Sequence, residues 1–365
     1  MLRTAEHPGR RARLLTGALA IAALLAALMA LWQTQFRPLA RQDYCWGTWS
    51  EESGPFRGEA GGVRQRVSRE SAPGRGRPHG HCTLSWRGGD RGGHGTERRL
   101  EVRYGTGPEA ADERRAWLTG LFAGGDSPLP DALPGFVTAS SGTLVLPESC
   151  DVRGRPSVVT LTGSFPDASP ARTGRLLLEV ANRAAKATGC AREAPPMASP
   201  PAPGACAIPG IAGPAGTGST EPDFETCALA NTDANTTPAS TPTNATTPAH
   251  TATPADETAR EGDTTTPADA FRWAARFAMT ARPRIVALFD GLTGDSPPAP
   301  GWRAHGRIEA TGALIRADCA GRPTVFTMRT GPGRTGTRAD DPRRAFPAFV
   351  DAVAGRIGCA PLRSA

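Results

Sequence analysis

The longest hydrophobic pattern in the chain is an uncharged run, LLTGALAIAALLAALMALW, which extends from Leu14 to Trp32. As a helix, these 19 residues are long enough to span the hydrocarbon core of a bilayer. Four arginines lie before the run in residues 1–13, whereas Arg37 and Arg41 follow it and are partly offset by Asp43. The arginine excess predicts a cytoplasmic tail at residues 1–13, a transmembrane helix at 14–32 and an extracytoplasmic remainder.

Two other interpretations of this run stay open. A cleaved secretory signal has the same basic start, although bulky Leu28 and Pro38 stand at the −3 positions of the plausible cuts after Ala30 and Ala40. That interpretation also exports the rest of the chain. A buried core helix is the other alternative, and the lack of an amphipathic pattern disfavours it.

Helical periodicity returns twice, each time just before a Gly-Cys pair. Gly189 and Gly358, immediately before Cys190 and Cys359, are predicted to cap the helices in the left-handed conformation. Each apolar series follows the offsets i, i+3, i+4, i+7 and i+11, so each helix is expected to pack one face inward. The two series are Leu177, Val180, Ala181, Ala184, Thr188 and Phe346, Phe349, Val350, Val353, Ile357.

The segments before these helices also resemble each other. The stretch SCDVRGRPSVVTLTG matches DCAGRPTVFTMRTG, and LFAGGDSPLP matches LFDGLTGDSPPAP. Such self-similarity indicates a tandem repeat. We expect two α+β lobes, at residues 45–190 and 206–359, each with a strand pair, a helix ending near residue 122 or 289, a second strand pair and a C-terminal helix. The first strand pair is clearest as CWGTW, CTLSW and RLEVRY, and is poorly visible in the second copy.

The cysteines support an oxidising compartment. Eight cysteines allow 105 pairings; closing each lobe on itself leaves nine, and requiring equivalent lobes leaves three. Among these three we prefer one set, in which two bonds close 40-residue separations. Free or metal-binding thiols are the alternative, but the chain has no CxxC pair and carries an export signal. The preferred pairs are Cys45 with Cys82, Cys150 with Cys190, Cys206 with Cys227, and Cys319 with Cys359.

Composition limits how much of the 365-residue chain folds. It contains 43 Gly and 35 Pro. Residues 191–205 are predicted to be a Pro/Ala linker, and the Thr/Pro-rich insert at 231–268, which interrupts the second lobe, is predicted to be disordered. The insert resembles O-glycosylated stalks in composition, and Asn235 and Asn244 lie in N-x-T sequons.

The net charge of +7 is local rather than global. Residues 1–44 and 45–103 each sum to +4, and the rest sums to −1, so we expect no nucleic-acid partner. The Arg-rich stretch from Arg57 to Arg99 is interpreted as a solvated loop. Contact with anionic lipid headgroups or wall polyanions is its alternative.

Candidate metal and ligand residues are few. His79 and His81, in HGHC, could face one side of a strand with His94 nearby, but no carboxylate is placed to orient the rings, so a mobile basic loop is favoured over a copper or zinc site. We expect no cofactor. Core packing is favoured over an aromatic ligand platform for the tryptophans. These are Trp46, Trp49, Trp86, Trp117, Trp273 and Trp302.

Catalytic motifs are incomplete. GDSP occurs at residues 125–128 and 294–297 and is interpreted as a repeated turn, because the Asp-x-x-His partner of GDSL-type hydrolases is missing. Arg183 and Ala185 exclude Ser-x-x-Lys and Walker A motifs around Lys186, the only lysine. Ser-His-Asp chemistry stays open, although no histidine occupies equivalent places in both copies.

An arginine-started anchor, CWGTW, a GRP-strand segment and a helix ending in GC together resemble membrane-anchored exported proteins of high-GC Gram-positive bacteria that carry cysteine-bounded repeats. The resemblance covers most of residues 45–190 and 206–359, although AIPG follows Cys206 where WGTW follows Cys45. It implies no catalytic residues, because that family has no assigned activity.

The sequence therefore predicts a single-pass, membrane-anchored extracytoplasmic binding module whose partner is a protein, a wall polymer or a small ligand. The alternative is an envelope hydrolase or metal-handling protein that uses one lobe. A binding module should show a groove or apolar patch between or across the lobes. An enzyme should bring His79, His81, His94 or His305 within reach of a carboxylate or hydroxyl in a cleft.

Overall fold

The computed structural model describes residues 24–25, 43–58, 63–88, 96–122, 126–130, 133–192, 194, 198–200, 204–206, 208, 216–230, 273–331 and 342–363. No helix within this described part is both long and apolar enough to cross a membrane. The predicted span at 14–32 lies outside it, except for Leu24 and Leu25. The predicted insert at 231–268 also lies outside it, and so does part of the linker at 191–205. Tyr44–Ala365 forms one compact unit with two antiparallel sheets, and each sheet with the helices joined to its strands is called a lobe here.

The first lobe is built on a seven-stranded antiparallel sheet with the order β1-β2-β3-β7-β6-β5-β4. One helix follows β3 and a second ends the lobe. The elements are β1 Val63–Ser71, β2 Gly80–Gly88, β3 Glu97–Gly105, α1 Ala111–Leu121, β4 Ser127–Pro128, β5 Gly135–Val137, β6 Ser141–Val145, β7 Val158–Gly163 and α2 Pro170–Thr188.

The second lobe also has a seven-stranded antiparallel sheet, with the order β8-β9-β10-β11-β14-β13-β12. Its elements are β8 Gly204–Cys206, β9 Gly216–Glu221, β10 Phe224–Ala230, β11 Trp273–Thr280, α3 Pro283–Val286, β12 His305–Ile308, β13 Gly312–Cys319, β14 Arg322–Thr330 and α4 Pro342–Ile357. A single 3₁₀ turn, Ala287–Phe289, continues α3.

Six strands of one sheet follow the same order as six strands of the other. The series β1-β2-β3-β7-β6-β5 corresponds to β9-β10-β11-β14-β13-β12, with β4 and β8 as the additional edge strands. The prediction of strand pairs was therefore wrong, because each half of a lobe contributes three strands to this common order. The strands β1 and β9 were missed because neither VRQRVSRES nor GTGSTE shows a clear alternation of apolar and polar residues.

Two predictions near the start of the first lobe were also wrong. CWGTW is a turn closed by a bridge between Tyr44 and Trp49, because Cys45, Trp46 and Gly47 all have positive φ. The stretch from Arg57 to Arg99 is not a loop, since it contains all of β1 and β2. The backbone hydrogen bonds of these strands are satisfied by pairing, which the polar composition did not suggest.

The repeated GRP segments adopt the same turn. In the first lobe, Val152 bridges Arg155 across Arg153 and Gly154, whose φ values are 53° and 72°. In the second, Cys319 pairs with Arg322 across Ala320 and Gly321, at 55° and 78°. Two successive residues with positive φ are the requirement of a type I′ turn, which explains the glycine in each copy.

Each lobe has a core between its sheet and its C-terminal helix. Helix α2 buries its predicted apolar face against the sheet residues Leu84, Val102 and Leu161, and α4 does the same against Phe277 and Phe326. Gly189 and Gly358 have φ of 69° and 75°, so both take the left-handed conformation that the sequence predicts.

All four predicted disulfides are present, and the described part of the chain has no free cysteine. Cys150–Cys190 and Cys319–Cys359 tie the end of each C-terminal helix back to the second half of its sheet. Cys45–Cys82 and Cys206–Cys227 fasten the first segment of each lobe to β2 and β10. Each bond therefore stays within one lobe.

A third core joins the lobes. Phe122 and Phe136 of the first lobe stack at 4.7 Å between ring centroids, and Phe289 and Phe224 of the second lobe lie 6.0 and 5.5 Å from them respectively. All four rings are buried. The sheets meet here through the faces opposite their helices, so the lobes share apolar surface.

Candidate ligand cleft between the lobes

Two arginines at the start of α3 reach from the second lobe into the first. The guanidinium of Arg284 pairs with Asp151, with Nη1 3.0 Å from Oδ2, and its Nε and Nη2 donate to the Leu146 carbonyl at 3.0 and 2.7 Å. The side chains of Arg284 and Asp151 are only 18% and 19% exposed. This largely dry ion pair therefore fixes one lobe against the other.

Arg282 makes the neighbouring contact. Its Nε donates to Asp223 Oδ2 at 3.1 Å, and its Nη1 donates to the carbonyls of Leu129 and Leu133 at 2.9 and 3.0 Å. Asp223 belongs to the second lobe and both carbonyls belong to the first. Arg282 lies immediately before Pro283, at the first turn of α3. From this position its side chain extends across the junction.

Arginines of the first lobe also donate hydrogen bonds to the second lobe. From α1, Arg114 Nη2 donates to the Asp290 carbonyl at 2.9 Å, and Arg115 Nη1 donates to the Leu292 carbonyl at 3.4 Å. Burial lowers the pKa of Arg114, nearby Arg155 lowers it further, and Asp290 opposes both effects. Arginines of each lobe thus donate hydrogen bonds to backbone carbonyls of the other lobe.

Beside Arg282 and Arg284 lies a cleft of about 410 Å³. One wall is formed by α2, represented by Leu178 and Ala185, and a second is formed by Leu144 and Leu146 around β6. The second lobe closes the cleft with the start of α3. This volume lies within the range of about 300–1,000 Å³ that is typical of ligand pockets.

Asn182, Arg282 and Arg284, three polar residues of the cleft, are engaged by other groups of the protein. Asn182 Nδ2 donates to the Ala194 carbonyl at 3.1 Å, and the Ala194 amide donates to Asn182 Oδ1 at 2.9 Å. Arg282 and Arg284 are paired with Asp223 and Asp151. The cleft therefore presents a mainly apolar interior.

Buried charge lies elsewhere in the junction. Burial lowers the pKa of Arg276 on β11 to about 10, while the carboxylate of Asp126 raises it and Arg329 lowers it further. Asp126 is 1% exposed, and its carbonyl accepts a hydrogen bond from Thr226 Oγ1 at 3.0 Å. The hydrogen bond between Thr226 and Asp126 links the lobes.

A second, smaller concavity of about 200 Å³ lies between the Trp49 turn and α2. The indole Nε1 of Trp49 donates to Glu179 Oε2 at 2.6 Å, and Arg172 donates to the carbonyls of Pro55 and Arg57. Its lining mixes polar and charged side chains whose described contacts are internal to the first lobe. We therefore treat the larger cleft as the candidate site.

None of the candidate histidines that the structure describes lines the cleft. His81 Nε2 lies 3.0 Å from Thr83 Oγ1 and 3.7 Å from Glu101 Oε1, so hydroxyl and carboxylate approach the same ring nitrogen. This group is on the open face of the sheet, and Arg103 also pairs with Glu101. The expectation that HGHC is a mobile loop was wrong, because Gly80 begins β2.

His79 and His305 have other surroundings. His79 is exposed and packs against Gly105, where an added Cβ would be 2.7 Å from its Nδ1. His305 begins β12, with Nδ1 2.7 Å from the Asp295 carbonyl. His94 lies outside the described residues. No cluster of three metal-ligating side chains occurs in the part of the chain that the structure covers.

The two GDSP motifs differ in structure. Asp295 and Ser296 lie in an exposed bend, as predicted, whereas Ser127 and Pro128 form the buried strand β4. The prediction of a repeated turn was wrong for the first copy, because that segment is packed at the junction of the lobes. Ser127 Oγ is buried and has no hydrogen-bond partner within the described chain, so it is not an accessible nucleophile.

Tryptophans do not form a ligand platform on the described surface. Trp46, Trp49 and Trp86 are buried in the first lobe, as core packing predicts. Trp117 and Trp302 pack against apolar cores. The side chain of Trp273 lies outside the described part.

The cleft itself was not found from the sequence. Its walls come from separate segments, and Leu, Pro and Ala are ordinary core residues that carry no local signal. The Arg-Pro-Arg stretch at 282–284 was the one unusual local feature. No protein-family model, no curated protein and no solved structure matches the chain.

Proposed function

We propose that this protein is an extracytoplasmic, membrane-anchored binding protein that takes up a ligand in the cleft between its lobes. The observation that carries the proposal is the cleft of about 410 Å³, which is apolar inside and bordered by both lobes. An apolar concavity of this size is a usual form of ligand site. The binding role is favoured over hydrolysis because the described histidines lie outside the cleft.

The proposed location follows from two features. Four disulfides within the unit Tyr44–Ala365 suit an oxidising space, since they are rare in the cytosol. The uncharged run at residues 14–32 supplies the proposed anchor, with the basic tail of residues 1–13 on the cytoplasmic side. The lobes would then meet their ligand on the outer side of the membrane.

The experiment is recovery of the bound ligand from the full-length protein. The chain is purified from the envelope of cells that produce it, and non-covalently bound small molecules are extracted and identified by mass. Ala191→Trp would fill the cleft, because Ala191 lines it and is half-buried. Ala187→Trp, at an exposed position on α2 outside the lining, is the matched control.

We expect at least one component to accompany the wild type and Ala187→Trp and to be lost from Ala191→Trp. Circular dichroism and intact disulfides would verify that the variants fold. If all three proteins carry the same components in the same amounts, the cleft is not a ligand site and the proposal fails.

A further inference from the structure

We propose that the ligand of the cleft is a single-chain amphiphile, with an aliphatic tail inside the cleft and an anionic head group, a carboxylate or a phosphate, beside Arg192. This inference rests on the proposed function, because it names the chemical class of the ligand for the same site.

The walls select for an aliphatic chain. Leucine, alanine, proline and valine form the apolar part of the described lining. None of the described lining residues is Phe, Tyr or Trp. A sugar or a planar ring would gain from an aromatic face, whereas a flexible alkyl chain gains from the burial of each CH₂ group against any apolar wall.

The polar groups of the walls argue against a ligand with many hydrogen-bonding groups. Arg282 and Arg284 each use their donors on an aspartate and on backbone carbonyls. Both amide atoms of Asn182 are used by Ala194. A peptide or sugar placed there would exchange its hydrogen bonds with water for the few donors and acceptors that these side chains leave unused, and that exchange is costly.

Arg192 differs from the other arginines of the cleft because no described carboxylate balances its charge. Asp223 balances Arg282, and Asp151 balances Arg284. Arg192 lines the cleft, is exposed, and forms no ion pair with any described residue. The described lining therefore has an unbalanced positive charge at a solvent-accessible position, where a head group with a negative charge fits.

The test uses the full chain in nanodiscs of zwitterionic phosphatidylcholine, so that no detergent competes. The probe is dodecanoate that carries a diazirine near the end of its tail. Irradiation is followed by proteolysis and peptide mapping. We expect labelled peptides from residues 133–147 and 178–194, with labelling lost in Ala191→Trp and kept in Ala187→Trp.

The head group is tested by competition with unlabelled dodecanoate, dodecyl phosphate and dodecyltrimethylammonium. The two anions should displace the probe and the cation should not. The anion that competes at the lower concentration identifies the head group as a carboxylate or a phosphate. Arg192→Gln should raise the half-saturating concentration of dodecanoate about fivefold, as expected for loss of one solvent-exposed ion pair. Arg307→Gln, at an exposed position on β12, should leave it unchanged.

Contrary outcomes separate this inference from the proposed function. Equal competition by the cation, or an unchanged concentration for Arg192→Gln, would overturn the anionic head group. Absence of label from the cleft would overturn the aliphatic tail. In either case the proposed function still stands if Ala191→Trp loses its co-purifying component, and it falls with the inference if nothing is lost.

Discussion

Arg284 and Asp151 form an ion pair across the junction of the lobes, with Arg284 Nη1 3.0 Å from Asp151 Oδ2. Because Arg284 also donates to the Leu146 carbonyl, one side chain connects α3 with the segment that leads out of β6. Arg284 and Leu146 also line the proposed ligand cleft, so the stability of the junction and the shape of the site depend on shared residues.

Breaking this pair should weaken the whole unit. Arg284→Met leaves Asp151 largely buried without its partner, and we expect a loss of about 3 kcal/mol in the free energy of unfolding. Denaturant titration of the full chain measures the change. Arg316→Met, which removes the more exposed pair with Asp290, is the control and should cost about 1 kcal/mol or less. Equal losses in the free energy of unfolding for the two variants would show that the junction pair stabilises the protein no more than an exposed pair does.

The phenylalanine cluster should make the lobes unfold together. Phe136→Ala removes a ring that contacts Phe122 in the same lobe and Phe224 in the other, and should destabilise the protein by about 3–5 kcal/mol. Hydrogen exchange should become faster in the strands of both lobes. Phe346→Ala, within the core of the second lobe alone, should accelerate exchange there first. Exchange limited to the first lobe in Phe136→Ala would argue against a shared core.

The loss of stability on removal of a disulfide should increase with the length of the loop that the disulfide closes. Replacing both cysteines of Cys150–Cys190 or of Cys319–Cys359, each with a separation of 40, should cost about 4 kcal/mol. Replacing Cys206 and Cys227, separated by 21, should cost about 3.3 kcal/mol. Unfolding titrations compare the variants. The wild type should show no thiol that reacts with iodoacetamide after denaturation, and reactive thiols would contradict the oxidised fold.

Glu225 should make stability depend on pH. Burial raises the pKa of Glu225, and the charge and hydrogen bond of Arg356 only partly oppose this. Because the folded protein then holds the proton more tightly than the unfolded chain, this contribution is present below the ordinary carboxyl pKa and is lost as pH rises through the raised value. Glu225→Gln lacks that loss, so its stability relative to the wild type should increase from pH 4 to pH 7.

Glu113→Gln, at an exposed position on α1, controls for the removal of one negative charge from the chain. Thermal unfolding at several pH values would compare the three proteins. A constant difference between Glu225→Gln and the wild type over this range would contradict the assigned cause.

The sequence by itself determined the local features of this protein. The i, i+3, i+4 series placed the faces of α2 and α4, and the Gly-Cys pairs placed their ends. The equal 40-residue separations of Cys150–Cys190 and Cys319–Cys359, together with the requirement that each lobe close on itself, led to all four disulfides. These signals are local or periodic, and a repeated segment shows them twice. Strands β1 and β9 were not predicted, because their stability comes from backbone pairing with a neighbour and their side chains need no alternating pattern.

Only the tertiary structure decided how the two lobes meet. Nothing in the order of residues indicated that Phe122, Phe136, Phe224 and Phe289 share one core, or that Arg284 pairs with a residue 133 positions away. The cleft arises from this arrangement, because its walls belong to α2, the segments around β6 and the start of α3. Apolar residues that are ordinary in sequence become a candidate site when packing of the lobes leaves a space between them.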